Sequence, residues 1–219
     1  MAQVPTVVVL DYGSGNLRSA QRALARTGAA VTVTADLAAA EAADGLVVPG
    51  VGAFAACLSA VERLGAGRVI VDRVAAGRPV LGICVGAQIM FEYGDEHGVV
   101  TKGLGLLPGG VQRLVAPRVP HMGWNTVTAA AGSVLFAGLP ADTRFYFVHS
   151  YAARPQPALA ATGALVSVSE HGEQFVAAVE HGPLSATQFH PEKSGIAGGS
   201  LLGAWLGTLS ATGSRGQER

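Results

Sequence analysis

Between Thr6 and Ile83, short apolar runs alternate with stretches of helical periodicity, and this alternation is the strongest constraint on how the chain can fold. Thr6 to Leu10 is β-branched and ends at Asp11, the pattern of a strand buried on both faces. Turn and cap residues follow in Tyr12-Gly13-Ser14-Gly15-Asn16, and Leu17 to Ala25 then carries apolar residues at helical spacing until Thr27-Gly28. Val31 to Thr34 and Gly45 to Val48 read as further strands, Phe54 to Leu64 and Val69 to Ala76 as helices with Gly77 as a stop, and Pro79 to Ile83 as a strand. Parallel neighbours need crossover connections, so the alternation predicts an α/β fold: an open, mostly parallel sheet with helices on both faces. In such sheets ligands sit beyond the carboxyl ends of the strands, so chemistry is expected just after each one.

Beyond about Gly94 the pattern becomes short β-rich pieces divided by Gly and Pro: Val111 to Val115, Trp124 to Thr128, Phe145 to Val148, Leu165 to Val168, Phe175 to Val179 and Leu184 to Phe189. These predict hairpins and an added antiparallel β section. No internal repeat or linker divides the chain, so residues 1–210 are expected to form one domain, with 211–219 as a disordered tail. With 49% hydrophobic and only 14% charged residues, the 219-residue chain can bury a continuous core. Fifteen basic residues balance fifteen acidic ones without concentrating on a face, which argues against a dedicated nucleic-acid binder. Two cysteines are too few for a disulfide framework and Met1 to Val9 lacks the features of a secretory signal, so a reducing, cytoplasmic location is expected. The uncharged run Ser194 to Ser214 is interrupted by six glycines and is read as a buried helix around Leu201 to Leu209 rather than a membrane span.

One segment stands out chemically. Leu81-Gly82-Ile83-Cys84-Val85-Gly86 sets a cysteine between two glycines, directly after a strand. This is the thiol form of the nucleophile elbow, in which a tight strand-to-helix turn strains and exposes the attacking side chain. A sulfur at a helix N-terminus also meets the positive end of the dipole, which favours its anionic, attacking form. Cys57, within a helical stretch and without special flanks, is expected to be buried and inert.

A nucleophilic cysteine needs a base. His190 lies just beyond the strand Leu184 to Phe189, stiffened by Pro191, with Glu192 two residues on to hold its distal nitrogen. Cys84, His190 and Glu192 would then be nucleophile, base and orienter. His97, His171 and His181 read as loop residues; His121 and His149 lack a nearby carboxylate at a strand end; no Cys or His spacing indicates a metal. The tetrahedral oxyanion made by such a nucleophile needs preorganised donors. The loop Pro49-Gly50-Val51-Gly52 and the amide of Val85 are the candidates.

Together, Gly82-Ile83-Cys84-Val85-Gly86-Ala87-Gln88, Pro49-Gly50-Val51-Gly52 and His190-Pro191-Glu192 resemble the triad-type, class I glutamine amidotransferases. Asp11 to Asn16, Pro120-His121-Met122-Gly123-Trp124-Asn125 and Phe145 to Tyr151 narrow the resemblance to the glutaminase subunits of imidazole glycerol phosphate synthase, over about Asp11 to Trp205. The resemblance implies hydrolysis of glutamine to glutamate and ammonia through a thioester on Cys84, without a cofactor. It implies glutamine contacts from Gln88, Glu96 and the backbone near Gly52, Val85, Ser150 and Tyr151. It also implies a heterodimer with a (β/α)8-barrel cyclase subunit that receives the ammonia, and neither nucleic acid nor membrane as partner. Tyr12, Asn16, Met122 and Trp124 are the candidate interface residues, and the glycines around Val51 suggest an oxyanion loop that changes state when the partner binds. The competing readings are a glutaminase serving another acceptor, as in pyridoxal phosphate synthesis; a cysteine esterase, in which the acid would precede the histidine; and a non-catalytic binding subunit.

Overall fold

The computed structural model describes residues 4–213. Its first half is built from β1 (Thr6–Leu10), α1 (Leu17–Arg26), β2 (Ala30–Thr34), α2 (Leu37–Ala42), β3 (Gly45–Gly50), α3 (Phe54–Leu64), α4 (Ala66–Ala75) and β4 (Val80–Cys84). The second half contains α5 (Val85–Gln88), β5 (Phe91–Glu96), β6 (Val99–Lys102), β7 (Leu107–Arg113), β8 (His121–Thr126), β9 (Arg144–His149), β10 (Tyr151–Ala153), α6 (Pro157–Ala161), β11 (Leu165–His171), β12 (Glu173–His181) and β13 (Leu184–Thr187). A 3₁₀ turn, Pro191–Lys193, precedes α7 (Gly195–Gly213).

The main sheet has seven strands in the order β11-β12-β13-β4-β3-β1-β2. β13, β4, β3, β1 and β2 run parallel, as the alternation requires, and every residue of β3 and β4 is buried. α1 packs with α7, whereas α2, α3 and α4 pack among themselves, so two groups of helices enclose the sheet. α1 presents Ala20 and Leu24 to the core, and Gly65, in the left-handed conformation at φ 78°, ends α3 where an L side chain would be strained.

Three differences from the sequence reading have physical causes. α2 went unpredicted because Leu-Ala-Ala-Ala-Glu-Ala carries almost no periodicity; its signal was Asp36, whose carboxylate accepts from Ala38 N at 2.9 Å as an N-cap. The expected single antiparallel section divides in three. β11 and β12 extend the main sheet antiparallel, β8 and β9 form a separate pair, and β10-β7-β5-β6 forms a four-stranded sheet in which β5 and β7 run parallel. Strand existence is a local property, but pairing is not. Finally, the C-terminal helix is longer than the expected Leu201 to Leu209, and residues 211–213 of the expected tail belong to it; the rest of that tail lies outside the described residues. Among the described residues no helix is long and apolar enough to cross a membrane.

Strand register sets up the site. Gly50 is level with Cys84, and Thr187 is level with Ile83, so the carboxyl ends of β3, β4 and β13 lie side by side. Whatever follows each of them in the chain must converge.

Candidate active site

Cys84 ends β4 with φ 55° and ψ −114°, one of two non-glycine residues with positive φ among the described residues. An L-residue adopts this conformation only when its surroundings impose it. Here the surroundings are main chain. A Cβ on Gly50 would lie 2.3 Å from Gly86 N, one on Gly86 would lie 1.9 Å from Val48 O, and one on Gly82 would lie 2.8 Å from Ala87 Cα. The elbow therefore closes directly onto β3. The following helix, α5, is a single turn of four residues, so the dipole support expected for the sulfur is small. Val85 opens that turn, where amides have no partner within the helix.

His190 is fixed through its backbone. Its N–H donates to Tyr146 O at 2.9 Å, its carbonyl accepts from Ser194 Oγ at 2.6 Å, and Ser194 Oγ accepts in turn from Tyr146 N at 3.0 Å. Both His190 and Glu192 are buried, with Nδ1 2.8 Å from Glu192 Oε1. The carboxylate can only accept, so Nδ1 always carries a hydrogen, and Nε2 is the nitrogen that gains and gives up the second proton. That nitrogen has no hydrogen-bond partner within the protein. Burial works against charge on this ring, but the adjacent Cys84 and Glu192 outweigh it and lift the imidazole to about 9.

Cys84 and His190 line one cavity of about 200 Å³, together with Val51, Gly52, Val85, Gln88, Glu96, Val148, His149, Ser150, Tyr151 and Lys193. Of the residues singled out from sequence, Gly50 and Glu192 are absent from this wall. Gly50 is the strand floor against which Gly86 packs, so its lack of a side chain serves close approach rather than loop flexibility. Glu192 stands behind the imidazole. Gly52, at φ 88°, is the glycine that the loop conformation demands.

Glu96, half-buried at the end of β5, accepts from Phe54 N at 3.0 Å and so caps α3 while facing the cavity. Gln88 Nε2 donates to Tyr151 O at 2.8 Å and to Gln188 Oε1 at 3.0 Å. With both amide hydrogens engaged, only its oxygen is left for a ligand, so Gln88 can accept but not donate. Gln188 Nε2 lies 3.7 Å from Cys84 Sγ. Gln188, Lys193, Val148 and His149 were missed in sequence; a polar Gln188 inside an otherwise buried run was the signal available for one of them.

Outside the cavity, Met122 is 66% exposed, Trp124 53% and Ile196 91%. The Trp124 ring meets the Tyr146 ring edge-on at 6.0 Å, and Lys193 Nζ, on the cavity wall, lies 5.8 Å from the centre of the Tyr146 ring, so the Trp124 surface runs up to the cavity mouth. Tyr12 is not part of it. It is only 7% exposed, and its hydroxyl donates to Pro49 O and lies 3.1 Å from Cys57 Sγ, which corrects its assignment as an interface residue. Asn16 is half-buried ahead of α1 and makes no capping bond with its side chain. Cys57 is buried, and burial pushes its thiol up to about 11. His171, expected in a loop, ends β11 and stacks on His121.

The glutamine amidotransferase class-I family profile matches residues 8–202. The chain belongs to the class-I glutamine amidotransferases. Within them it falls among the HisH subunits. It is 63% identical over 204 residues to imidazole glycerol phosphate synthase subunit HisH of Mycolicibacterium paratuberculosis, covering 93% of this chain and 98% of that one. It is 62% identical over 211 residues to the subunit of the same name from Thermobifida fusca, covering 94% and 99%. Among solved structures, a glutamine amidotransferase superposes with a TM-score of 0.71 at 22% identity, covering 94% of this chain and 98% of that one. PurLQS from Thermotoga maritima gives 0.70 at 18% identity, covering 94% of this chain and 100% of that one. At those identities the superpositions speak for the fold.

Proposed function

We propose that this chain is the glutaminase subunit of an imidazole glycerol phosphate synthase, hydrolysing glutamine to glutamate and ammonia in histidine biosynthesis. The observation that carries the reading is a sulfur held at positive φ on the wall of a cavity it shares with an unpartnered imidazole nitrogen, whose other nitrogen is tied to a buried carboxylate. With the proton already held on His190 Nε2, Cys84 Sγ attacks the side-chain amide carbon of glutamine. The carbonyl oxygen becomes an oxyanion, met by the amides of Gly52 and Val85. Ser14 Oγ donates to Val51 O at 3.1 Å, and in a trans peptide this turns Gly52 N–H the opposite way. The imidazolium returns its proton to the nitrogen as the C–N bond breaks, releasing ammonia and leaving a γ-glutamyl thioester. Water, deprotonated by the same nitrogen, attacks that thioester, and collapse restores the thiol and frees glutamate. Glu192 keeps Nδ1 protonated and the ring aimed throughout. Glu96 and the Gln88 oxygen, both acceptors, suit the substrate ammonium, and the backbone at Ser150 and Tyr151 completes the wall.

Ammonia set free here is useful only if it reaches a second site before escaping. The exposed apolar side chains of Met122 and Trp124 on β8, linked through Tyr146 and Lys193 to the cavity mouth, support docking of a cyclase subunit, of (β/α)8-barrel fold, that would consume it. A reducing cytoplasm suits two cysteines that are both free thiols.

The test is glutamate release by the purified chain, with and without the cyclase and its nucleotide substrate, alongside labelling by a glutamine-like electrophile. Hydrolysis rising on both additions, label confined to Cys84, and loss of both in Cys84→Ala are expected. Label on Cys57, or a Cys84→Ala variant that still releases glutamate, would overturn the assignment.

A further inference from the structure

His121 and His149 face each other across β8 and β9 on the buried side of that pair, and neither has a role in the mechanism above. Their hydrogen bonds can be ordered without ambiguity. Thr126 N donates to Asn125 Oδ1 at 2.9 Å, which leaves Asn125 Nδ2 as the donor toward Glu170 O at 2.8 Å and toward His121 Nε2 at 3.3 Å. His121 Nε2 is then an acceptor and its hydrogen is on Nδ1, 3.0 Å from His149 Nε2. His149 Nε2 accepts, so its own hydrogen is on Nδ1, 3.0 Å from Tyr151 O. Reading from the other end returns the same answer, because a carbonyl can only accept. The chain runs one way, and both rings are neutral.

The rings have little freedom to turn. His121 is clamped between His171, 4.3 Å away at 19°, and Phe147, 4.8 Å away at 27°, and His149 packs on Phe175 at 4.9 Å. Burial holds His121 down to about 4 and His149 to about 3, in keeping with the neutral chain. At its inner end Tyr151 O also takes the Gln88 amide, which leads on to Gln188 and the sulfur. At its outer end β8 alternates His121 and Asn125 inward with Met122 and Trp124 outward.

We propose that His121 and His149 are positioning residues for glutamine: a rigid, directional hydrogen-bonded strut that fixes the pocket wall at Tyr151 against the exposed strand β8. The inference rests on the glutaminase reading and adds to it a route by which pressure on Met122 and Trp124 is felt at the substrate wall. The strut holds the wall rather than the reacting atoms, so its loss belongs in glutamine affinity.

Glutaminase kinetics of the full chain with the cyclase test this. His149→Phe keeps the ring volume but has no donor, and should raise the glutamine KM roughly tenfold, the size of one lost hydrogen bond, with kcat within about threefold. His149→Asn, which can place an N–H where Nδ1 stood, should recover most of the affinity. An unchanged KM, a fall in kcat alone, or no rescue by Asn would overturn the strut while leaving the glutaminase reading intact; a wild-type complex without glutaminase activity would instead sink that reading. Should His149→Phe fail to fold, ¹⁵N spectra of the wild-type imidazoles decide the matter. Both rings should show the Nδ1–H tautomer at pH 7, and an Nε2–H or cationic His149 would end the proposal.

Discussion

His190 and His149 line the same cavity, both are buried, and both stand at the end of a strand or just beyond it, yet they are driven in opposite directions: His190 up to about 9, His149 down to about 3. Burial disfavours charge on each. What separates them is the group on the second nitrogen. His190 has Glu192 at 2.8 Å and Cys84 beside it, whereas His149 has a backbone carbonyl on one side and a neutral imidazole on the other. A carboxylate makes an imidazole into a base that can hold a proton in transit; a carbonyl and a second ring make it into a fixed connector. The residue type decides little, and the partner decides most.

The sharpest way to break the contrast is to make His190 resemble His149. Glu192→Gln removes the charge but keeps the shape, and should lower glutaminase kcat/KM by about 10³-fold. The imidazole should fall below about 9 in the same variant, with Cys84 still holding it up in part, as read by NMR titration. An unchanged His190 titration would mean that Glu192 is not what holds it up.

Stability against pH should carry both signatures with opposite signs. The folded chain keeps the His190 proton up to about pH 9, while the unfolded imidazole gives it up near 6.5; that contribution is complete below 6.5 and is lost as pH rises through 9. His121 and His149 act in reverse. Unfolded, they bind protons near 6.5, but folded only near 4 and 3, so their contribution is present above 6.5 and is lost as pH falls. Urea unfolding of the full chain should therefore weaken on both sides of about pH 6.5. His149→Asn should flatten the acid limb by about 1.4 kcal/mol per pH unit between pH 6 and 4. An acid limb of unchanged slope would contradict the neutral assignment.

The gentlest change runs the other way, giving the connector a carboxylate. Asn125→Asp puts an acid against His121 Nε2, and should raise that ring from about 4 by roughly one to two pH units, read by NMR. It should also cost about 1 to 3 kcal/mol in urea unfolding, since the new carboxylate faces Glu170 O, to which the amide donated.

These contrasts also mark what could be read from residues alone. The parallel core was legible because its signals are local: apolar β-branched runs, helical spacing, and Gly28 and Gly77 as stops. Cys84, His190 and Glu192 were legible because each lies at or just beyond the carboxyl end of a strand, and strand ends in a parallel sheet share one edge. The strut was not legible, since His121 and His149 are set apart by 28 positions and His171 joins them only through the β11 pairing. Tyr12 misled for a related reason: it sits in a turn, but its side chain reaches back beneath Pro49. Gly50 misled because a glycine required for close approach looks, in sequence, like one required for mobility.

Gly50, Gly82 and Gly86 also bear on what this protein can tolerate over many generations of substitution. At the elbow, main chain lies against main chain, and main chain is the one part of a protein that amino-acid replacement leaves unchanged. The surrounding core can drift through Val, Ile, Leu and Ala without carrying the sulfur along, because no variable atom stands between it and its support. Heredity can reach that atom's coordinates directly at few places, and at these three a single added carbon is enough.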